Sequence, residues 1–213
     1  MRYREQGFTL IEIMVVITII VLLAGAVALS VPLVQERARR STSTNNLKQL
    51  YTLYTAEKME RQTARPRHDG GTLWLSYRKK SLIKNGQEEV LVCPGDPDIL
   101  PIETPEDRDR YDEINLEDPK KNMVSYAARN FTAYPLKAES KTLQIIGGLR
   151  QGSNGRTMHF DGGTIVVFED GAVRWQSRED LGLAGDADIV IGEDSDHDLL
   201  KKISDVQSSG DKE

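Results

Sequence analysis

The sequence predicts an α+β protein in which a long N-terminal helix packs on a small antiparallel β-sheet domain. An uncharged, mostly apolar stretch from Ile13 to Gln35 contains 23 residues, which as a helix of about 35 Å would cross a bilayer. A single helical stripe of apolar residues follows at Leu47, Leu50, Tyr51 and Tyr54. Short β-rich runs separated by turns containing Gly and Asp make up much of the remaining chain.

The length and charge of the chain favour one domain with attachments. The chain has 213 residues and a formal net charge of −5, and from Thr63 onward it has 20 basic and 28 acidic residues. This acidic excess argues against nucleic acid as a partner, since domains that bind nucleic acid normally present a basic face. Cys93 is the only cysteine, so no internal disulfide can form, and we expect a small buried side chain there.

The helical pattern predicts one helix from Phe8 to Arg61, about 80 Å long, which the residues around Pro66 end. Pro32 lacks a backbone donor, so we expect a kink at that position. The predicted organisation is a leader peptide at 1–7, a transmembrane part of the helix at 8–31, its second half at 32–62, a globular domain at 63–203 and a disordered polar tail at 204–213.

Four short runs after the helix are candidates for strands, namely Thr72–Tyr77, Glu89–Cys93, Met123–Ala127 and Thr142–Ile146. The strongest local prediction is a hairpin in which Thr164–Phe168 and Val173–Trp175 flank a turn with Asp170-Gly171. The stretch Ile99–Lys121 is rich in Pro, Asp, Glu and Arg, which predicts an exposed irregular loop.

The N-terminal segment contains Glu12, although an ionised carboxylate is costly inside a membrane. This glutamate ends the motif Gly7-Phe8-Thr9-Leu10-Ile11-Glu12, which leads directly into the apolar stretch. The arrangement resembles the prepilin cleavage and methylation motif of type IV pilins and type II secretion pseudopilins. It differs from an ordinary signal peptide because the plausible cut lies before the apolar stretch and not after it.

This resemblance implies a pseudopilin-like fold and a role in assembly. A membrane peptidase would cut after Gly7 and methylate the new amine of Phe8. Glu12 would then pair with the Phe8 amine of a neighbouring subunit, which would favour one axial register. The alternative for Glu12 is a carboxylate near the membrane interface that has no partner.

A second resemblance involves the globular part. Cys93-Pro94-Gly95-Asp96 and the run from His159 to Gly171 resemble a pseudopilin-like family named for a His, nine residues and Asp-Gly. Here ten residues separate His159 from Asp170, with Asp161 as the additional one. These three side chains could also suggest a metal or acid–base site, but Asp170 suits a type I′ turn and His159 could bond to turn backbone.

An acidic run near the C-terminus predicts either a cation site or a helix start. Its acidic residues are Asp186, Asp188, Glu193, Asp194, Asp196 and Asp198. Carboxylates in a Gly-containing loop suit a hard cation, and calcium is the candidate cofactor. The run resembles, in place and composition, the calcium loop of major type II secretion pseudopilins. In the alternative, Asp194 or Ser195 caps a helix from Asp196 to Ile203.

These observations favour a structural protein and not an enzyme. The chain would be anchored once in the inner membrane, with its globular domain in the periplasm or outside the cell. Its expected partners are prepilin peptidase, other pilin or pseudopilin subunits, the secretion or pilus assembly machinery, and the lipid bilayer. A pseudopilin is favoured over a true pilin, because the C-terminal cysteine pair common among pilins is absent. The alternative is a membrane-anchored enzyme or ligand-binding domain that faces the periplasm.

Overall fold

A computed structural model of the chain describes residues 9–61, 65–99, 101–112, 114–119, 123–138, 140, 142–151, 160, 162–185 and 187–204. Contacts divide the chain into two compact units, Met1–Ala38 and Arg39–Glu213. The second unit therefore contains the later part of the N-terminal helix together with the sheet.

The first element, helix α1, extends from Leu10 to Arg61. The predicted end at Arg61 is confirmed, and the predicted start at Phe8 lies outside the described residues. Pro32 lies inside α1, and the kink expected there stays a prediction. The apolar stripe of α1 is confirmed, since Leu47, Leu50 and Tyr54 are at most 3% exposed.

The sheet has five strands in the order β4-β3-β2-β1-β5, and every neighbouring pair is antiparallel. The strands are β1 (Tyr126–Arg129), β2 (Ile145–Leu149), β3 (Gly163–Phe168), β4 (Val173–Ser177) and β5 (Ile203–Ser204). The last strand pairs with β1, so Ser204 belongs to the sheet and not to a disordered tail as predicted. The runs predicted at 123–127 and 142–146 do form strands, but β1 and β2 each begin three residues later.

The predicted β3–β4 hairpin is confirmed, but its turn is not type I′. A type I′ turn needs positive φ at both central residues. In the described part of the chain, Ser81 is the one residue other than glycine with positive φ, so Asp170 does not meet this requirement. Gly171 has φ +81° and donates its N–H to the Phe168 carbonyl at 2.9 Å. This is a type I turn followed by a glycine bulge, the pattern of three-residue hairpin loops.

The first run predicted as a strand is instead a helix, α2, from Thr72 to Lys79. Leu73, Trp74, Leu75 and Tyr77 are all fully buried there, so this short apolar run belongs to a buried helix and not to a strand. The glycine directly before α2 is bonded to the sheet edge, because the Gly71 N–H donates to the Ser204 carbonyl at 3.1 Å. The chain after this turn therefore packs over the sheet rather than adding a strand to it.

Two further segments differ from the sequence prediction. The run Glu89–Cys93 is not a strand, because a 3₁₀-helix occupies Glu88–Leu91. The Asn46 side-chain amide donates hydrogen bonds to the Glu89 and Val92 carbonyls, each at 3.1 Å. The stretch predicted as an irregular loop contains a 3₁₀-helix at Glu106–Tyr111. Tyr111 is 1% exposed and donates its hydroxyl to the Met123 carbonyl at 2.8 Å, which fixes this stretch to the core.

Both faces of the sheet are covered. One face meets α1 and α2 through a core that includes Leu50, Trp74, Tyr126, Ile165 and Val167. The other face meets the segment between β4 and β5, through the residues Ala127, Ile145, Val166, Phe168, Leu181, Ile189, Ile191, Leu200 and Ile203. Adjacent residues of β3 alternate between the two cores, as the period of a strand requires.

Replacing Gly163 should test how tightly the hairpin is packed. A Cβ atom there would lie 2.3 Å from the Gln176 carbonyl oxygen and 2.4 Å from the Trp175 ring. We expect Gly163→Ala to lower the free energy of unfolding by about 2 to 3 kcal/mol, the upper range for overpacking. Gly185→Ala is the control, because a Cβ atom there meets nothing within 4 Å. Urea unfolding of both variants checks this, and equal stability would contradict the close approach.

Candidate functional site

The side chains of Thr9 and Glu12 cap the start of α1. The Glu12 Oε2 atom accepts bonds from the Thr9 backbone N–H at 2.8 Å and from the Thr9 hydroxyl at 2.7 Å. The Glu12 N–H in turn donates to the Thr9 hydroxyl oxygen at 3.3 Å. Thr9 and Glu12 thus form a capping box, in which a Thr and a Glu three residues later satisfy each other's backbone donors. In the single chain, Glu12 has a local partner.

Gly7 and Phe8, the predicted cleavage and methylation residues, lie outside the described residues. Cleavage between them and methylation of Phe8 stay predictions, and so does the pairing of Glu12 with a neighbouring Phe8 amine.

Apolar side chains are exposed along the first half of α1. The large apolar side chains recorded as exposed between Leu10 and Val34 have exposed fractions from 41% to 79%. A search of the described residues finds no helix that combines the length and the apolar character needed to span a membrane. The transmembrane part predicted at 8–31 is therefore not confirmed.

Within the Arg39–Glu213 unit, polar side chains of α1 bond to residues of the globular part. The Ser43 hydroxyl lies 2.7 Å from the Cys93 sulfur, and the Asn46 amide bonds to the Tyr126 hydroxyl at 3.2 Å. Ser43 and Asn46 are both buried. Sequence analysis missed these residues, because a Ser and an Asn within a helical pattern ordinarily indicate its solvent face.

The prediction that Cys93 is a small buried side chain is confirmed, since it is 1% exposed. Burial raises the pKa of the Cys93 thiol to about 12. A thiol with this pKa is almost wholly protonated near neutral pH and is a poor nucleophile.

The Cys93–Asp96 turn is fixed on its other side by a buried ion pair. Arg150, directly after β2, donates to Asp96 through Nε at 3.0 Å and Nη2 at 2.8 Å. Ser125 adds a hydroxyl bond to the same carboxylate at 2.7 Å. The turn therefore links α1 to the sheet, which gives the Cys-Pro-Gly-Asp motif a structural role.

A cation–π contact holds the hairpin against α1. The Arg40 guanidinium lies 3.7 Å from the centre of the Trp175 ring on β4, and the Phe160 ring lies 5.8 Å away. Such contacts stabilise by about 0.5 to 2 kcal/mol, depending on burial. The sequence shows Arg39 and Arg40 as a basic pair after the apolar stretch. Basic residues are also typical of the end of a membrane span, so the sequence alone did not predict the contact with Trp175.

A metal or acid–base site formed by His159, Asp161 and Asp170 stays a prediction, because the structure describes only Asp170 of the three. His159 and Asp161 lie outside the described residues. Asp170 is in the hairpin turn, where its carboxylate accepts the Ala172 N–H at 2.9 Å. The Asp170 carboxylate also lies 3.5 Å from the Arg174 guanidinium, so its described contacts are a turn bond and an ion pair on the same hairpin.

The acidic run forms a cover over the sheet. Ile189 and Ile191 are buried in the second core, whereas Asp188, Glu193, Asp194, Asp196 and Asp198 are exposed. Asp186 lies outside the described residues. The side chains that point outward are thus the acidic ones, and the isoleucines anchor the segment.

The helix predicted from Asp196 to Ile203 is wrong. Ser195 does accept the His197 N–H at 3.2 Å, but only a 3₁₀-helix at Leu200–Lys202 follows. Ile203 pairs with Arg129 in the sheet, and Asn130 donates its N–H to the Lys202 carbonyl at 2.9 Å. Backbone groups at the end of this segment therefore bond to the edge of the sheet, and they are not available for the hydrogen bonds that an α-helix would require.

Calcium binding by the acidic run stays a prediction. Across the described ranges, which omit Asp186, no group of three or more His, Cys, Asp or Glu side chains could hold a metal ion. The exposed carboxylates repel one another, so a cation that bound them would stabilise the segment.

A family model for the prokaryotic N-terminal methylation motif matches residues 2–28. The chain carries this motif, as predicted, and is consistent with a prepilin-like protein. Comparisons with curated proteins and with solved structures find no significant match. The motif implies processing by prepilin peptidase and assembly with other pilin-like subunits.

Calcium should raise the stability of the protein if the acidic run binds it. We expect millimolar calcium to raise the melting temperature, because each tenfold ligand excess over the dissociation constant adds about 1.4 kcal/mol. Asp194→Asn with Asp196→Asn should abolish the shift, and sodium chloride of equal ionic strength controls for screening. An unchanged melting temperature in calcium would contradict the site.

Proposed function

We propose that this protein is a prepilin-like structural subunit of a pseudopilus or a pilus-like fibre. Prepilin peptidase would cut between Gly7 and Phe8 and methylate the Phe8 amine. The methylation motif at residues 2–28 is the observation that carries this proposal. A structural role, and not catalysis, accounts for the features described above: a capped apolar helix and a globular unit fixed to its second half.

Residues 8–31 would anchor the chain in the inner membrane, with the globular part outside the cytoplasm. The exposed apolar side chains of α1 support this proposal, because water-exposed apolar area on this scale marks a surface that lipid or other helices cover. The same helical surface would pack against neighbouring subunits in the fibre. A type II secretion pseudopilus is the favoured machine, since the one cysteine is buried and cannot form a C-terminal pair.

Glu12 would serve both the helix cap and the assembly. The bonds of its side chain to described residues both use Oε2, and Oε1 would accept the Phe8 amine of a neighbour. The capping box would hold the carboxylate in place before the neighbour arrives. An ordered acceptor loses less conformational entropy on pairing than a mobile one.

Processing should remove seven residues. Mass spectrometry of the membrane fraction should show a mature chain that begins at Phe8 and carries one added methyl group. Gly7→Val should block cleavage, because the added side chain would stand at the scissile bond, and Gly7→Ala should slow it less. An intact Met1 start in cells with active prepilin peptidase would contradict the proposal.

Variants at Glu12 should separate its two roles. Glu12→Gln can still accept the Thr9 N–H but carries no charge, so we expect normal insertion and cleavage with a several-fold loss of sheared fibre. Thr9→Ala removes the capping hydroxyl and keeps the carboxylate, so it should assemble more fully than Glu12→Gln. Equal fibre yields from Glu12→Gln and the unaltered protein would show that the charge of Glu12 has no part in assembly.

A further inference from the structure

An open groove of about 470 Å³ lies between the end of α1 and the region around α2. It is lined by Glu57, Glu60, Arg61, Arg67, Lys80 and Leu82. Glu57 is buried and already bonds to Lys80 at 2.5 Å and Arg61 at 3.4 Å. The groove thus has an internal ion-pair network at its floor, with more cations than carboxylates in its lining.

The chain segment that supplies the lining of this groove is strongly basic. Residues 57–84 include eight basic and three acidic side chains. The exposed basic ones, here called the basic surface, are Lys58, Arg65, Arg67, Lys79, Lys80 and Lys84. Glu60 is the one exposed carboxylate among the three acidic residues. An open groove supplied by a segment of this charge attracts an acidic partner, because an excess of one sign of charge at a concave surface raises the local potential.

The same chain presents a surface of opposite charge. Residues 185–198 contain six acidic side chains and no Lys or Arg. The exposed ones that the structure describes, here called the acidic surface, are Asp188, Glu193, Asp194, Asp196 and Asp198. The basic surface therefore has six exposed cations, and the acidic surface has five exposed carboxylates.

The two surfaces lie on opposite faces of the sheet. The basic surface flanks α1 and α2, whose apolar residues pack on one face. The acidic surface is carried by the segment whose Ile189 and Ile191 pack on the other face. Because the sheet separates the segments that carry the two surfaces, a contact between these surfaces would join different copies.

We propose that the acidic surface of one copy docks into the basic groove of the next copy. The inference rests on the proposed function and names the surface through which globular units would meet in the fibre. A contact between two different patches is heterologous, and it propagates as an open chain when the rotation does not close a ring. Opposed charges would set the polarity of the fibre, since like surfaces repel.

Charge reversal tests the contact in the full-length protein, expressed with its assembly machinery. Arg67→Glu with Lys84→Glu reverses part of the basic surface, and Asp194→Lys with Asp196→Lys reverses part of the acidic surface. Each pair alone should reduce sheared fibre by about tenfold, because like charges then face each other between copies. All four changes in one chain should restore fibre.

Co-expression of the two reversed proteins should restore fibre as well. Each reversed surface then finds its opposite on the other protein, and copies can alternate. A charge needed only inside its own chain would not be rescued in this way. Lys48→Glu with Lys137→Glu is the matched control, since it reverses two exposed cations that belong to neither surface and should leave the yield unchanged.

Zero-length crosslinking makes failure of the contact distinguishable from failure of the proposed function. A mixture of isotopically labelled and unlabelled processed protein should give mixed-label peptides that join Lys79, Lys80 or Lys84 to Asp194 or Asp196. Fibres without these crosslinks, or without rescue on co-expression, would overturn the contact and leave the proposed function intact. Crosslinked copies that never form fibres would support the contact and overturn the proposed function.

Discussion

Burial of one face of α1 is the constraint on which the rest of the Arg39–Glu213 unit depends. Leu47 and Leu50 are fully buried on that face, and Ser43 and Asn46 on it make polar contacts. The Asn46 side chain donates hydrogen bonds to two carbonyls of the segment around Glu88–Leu91. Carbonyls away from water need such donors. The helix thus supplies part of the apolar core and some of the polar bonds that hold a non-regular segment in place. A globular part that began after α1 would lose both.

The sheet transmits this constraint to the C-terminal segment. Its first face is occupied by helices, so its second face must be covered by other apolar residues, and the isoleucines of the acidic run do this. With Ile189 and Ile191 buried in the second core, the acidic residues Asp188, Glu193, Asp194, Asp196 and Asp198 lie on the exposed side of this segment. The concentration of negative charge on one side of the domain is a consequence of how the sheet is covered.

The start of α1, by contrast, depends on local interactions alone. Thr9 and Glu12 are three residues apart and complete the helix start by themselves. Their partners lie within one turn, so no tertiary contact is needed to order the carboxylate. In the proposed assembly, a neighbouring subunit would therefore meet a carboxylate whose position is already fixed by the first turn of α1.

The sequence by itself determined the features that depend on short-range patterns. These are the methylation motif, the end of α1 at Arg61, its buried stripe and the β3–β4 hairpin. The tertiary structure decided α2, the two 3₁₀-helices in place of a strand and a loop, and the return of Ile203–Ser204 to the sheet edge. It also decided the polar attachments, since Ser43 and Cys93 are 50 residues apart and Asp96 and Arg150 are 54. Periodicity reports which side of an element is apolar, but it does not report which distant carbonyl or carboxylate a buried polar side chain will meet.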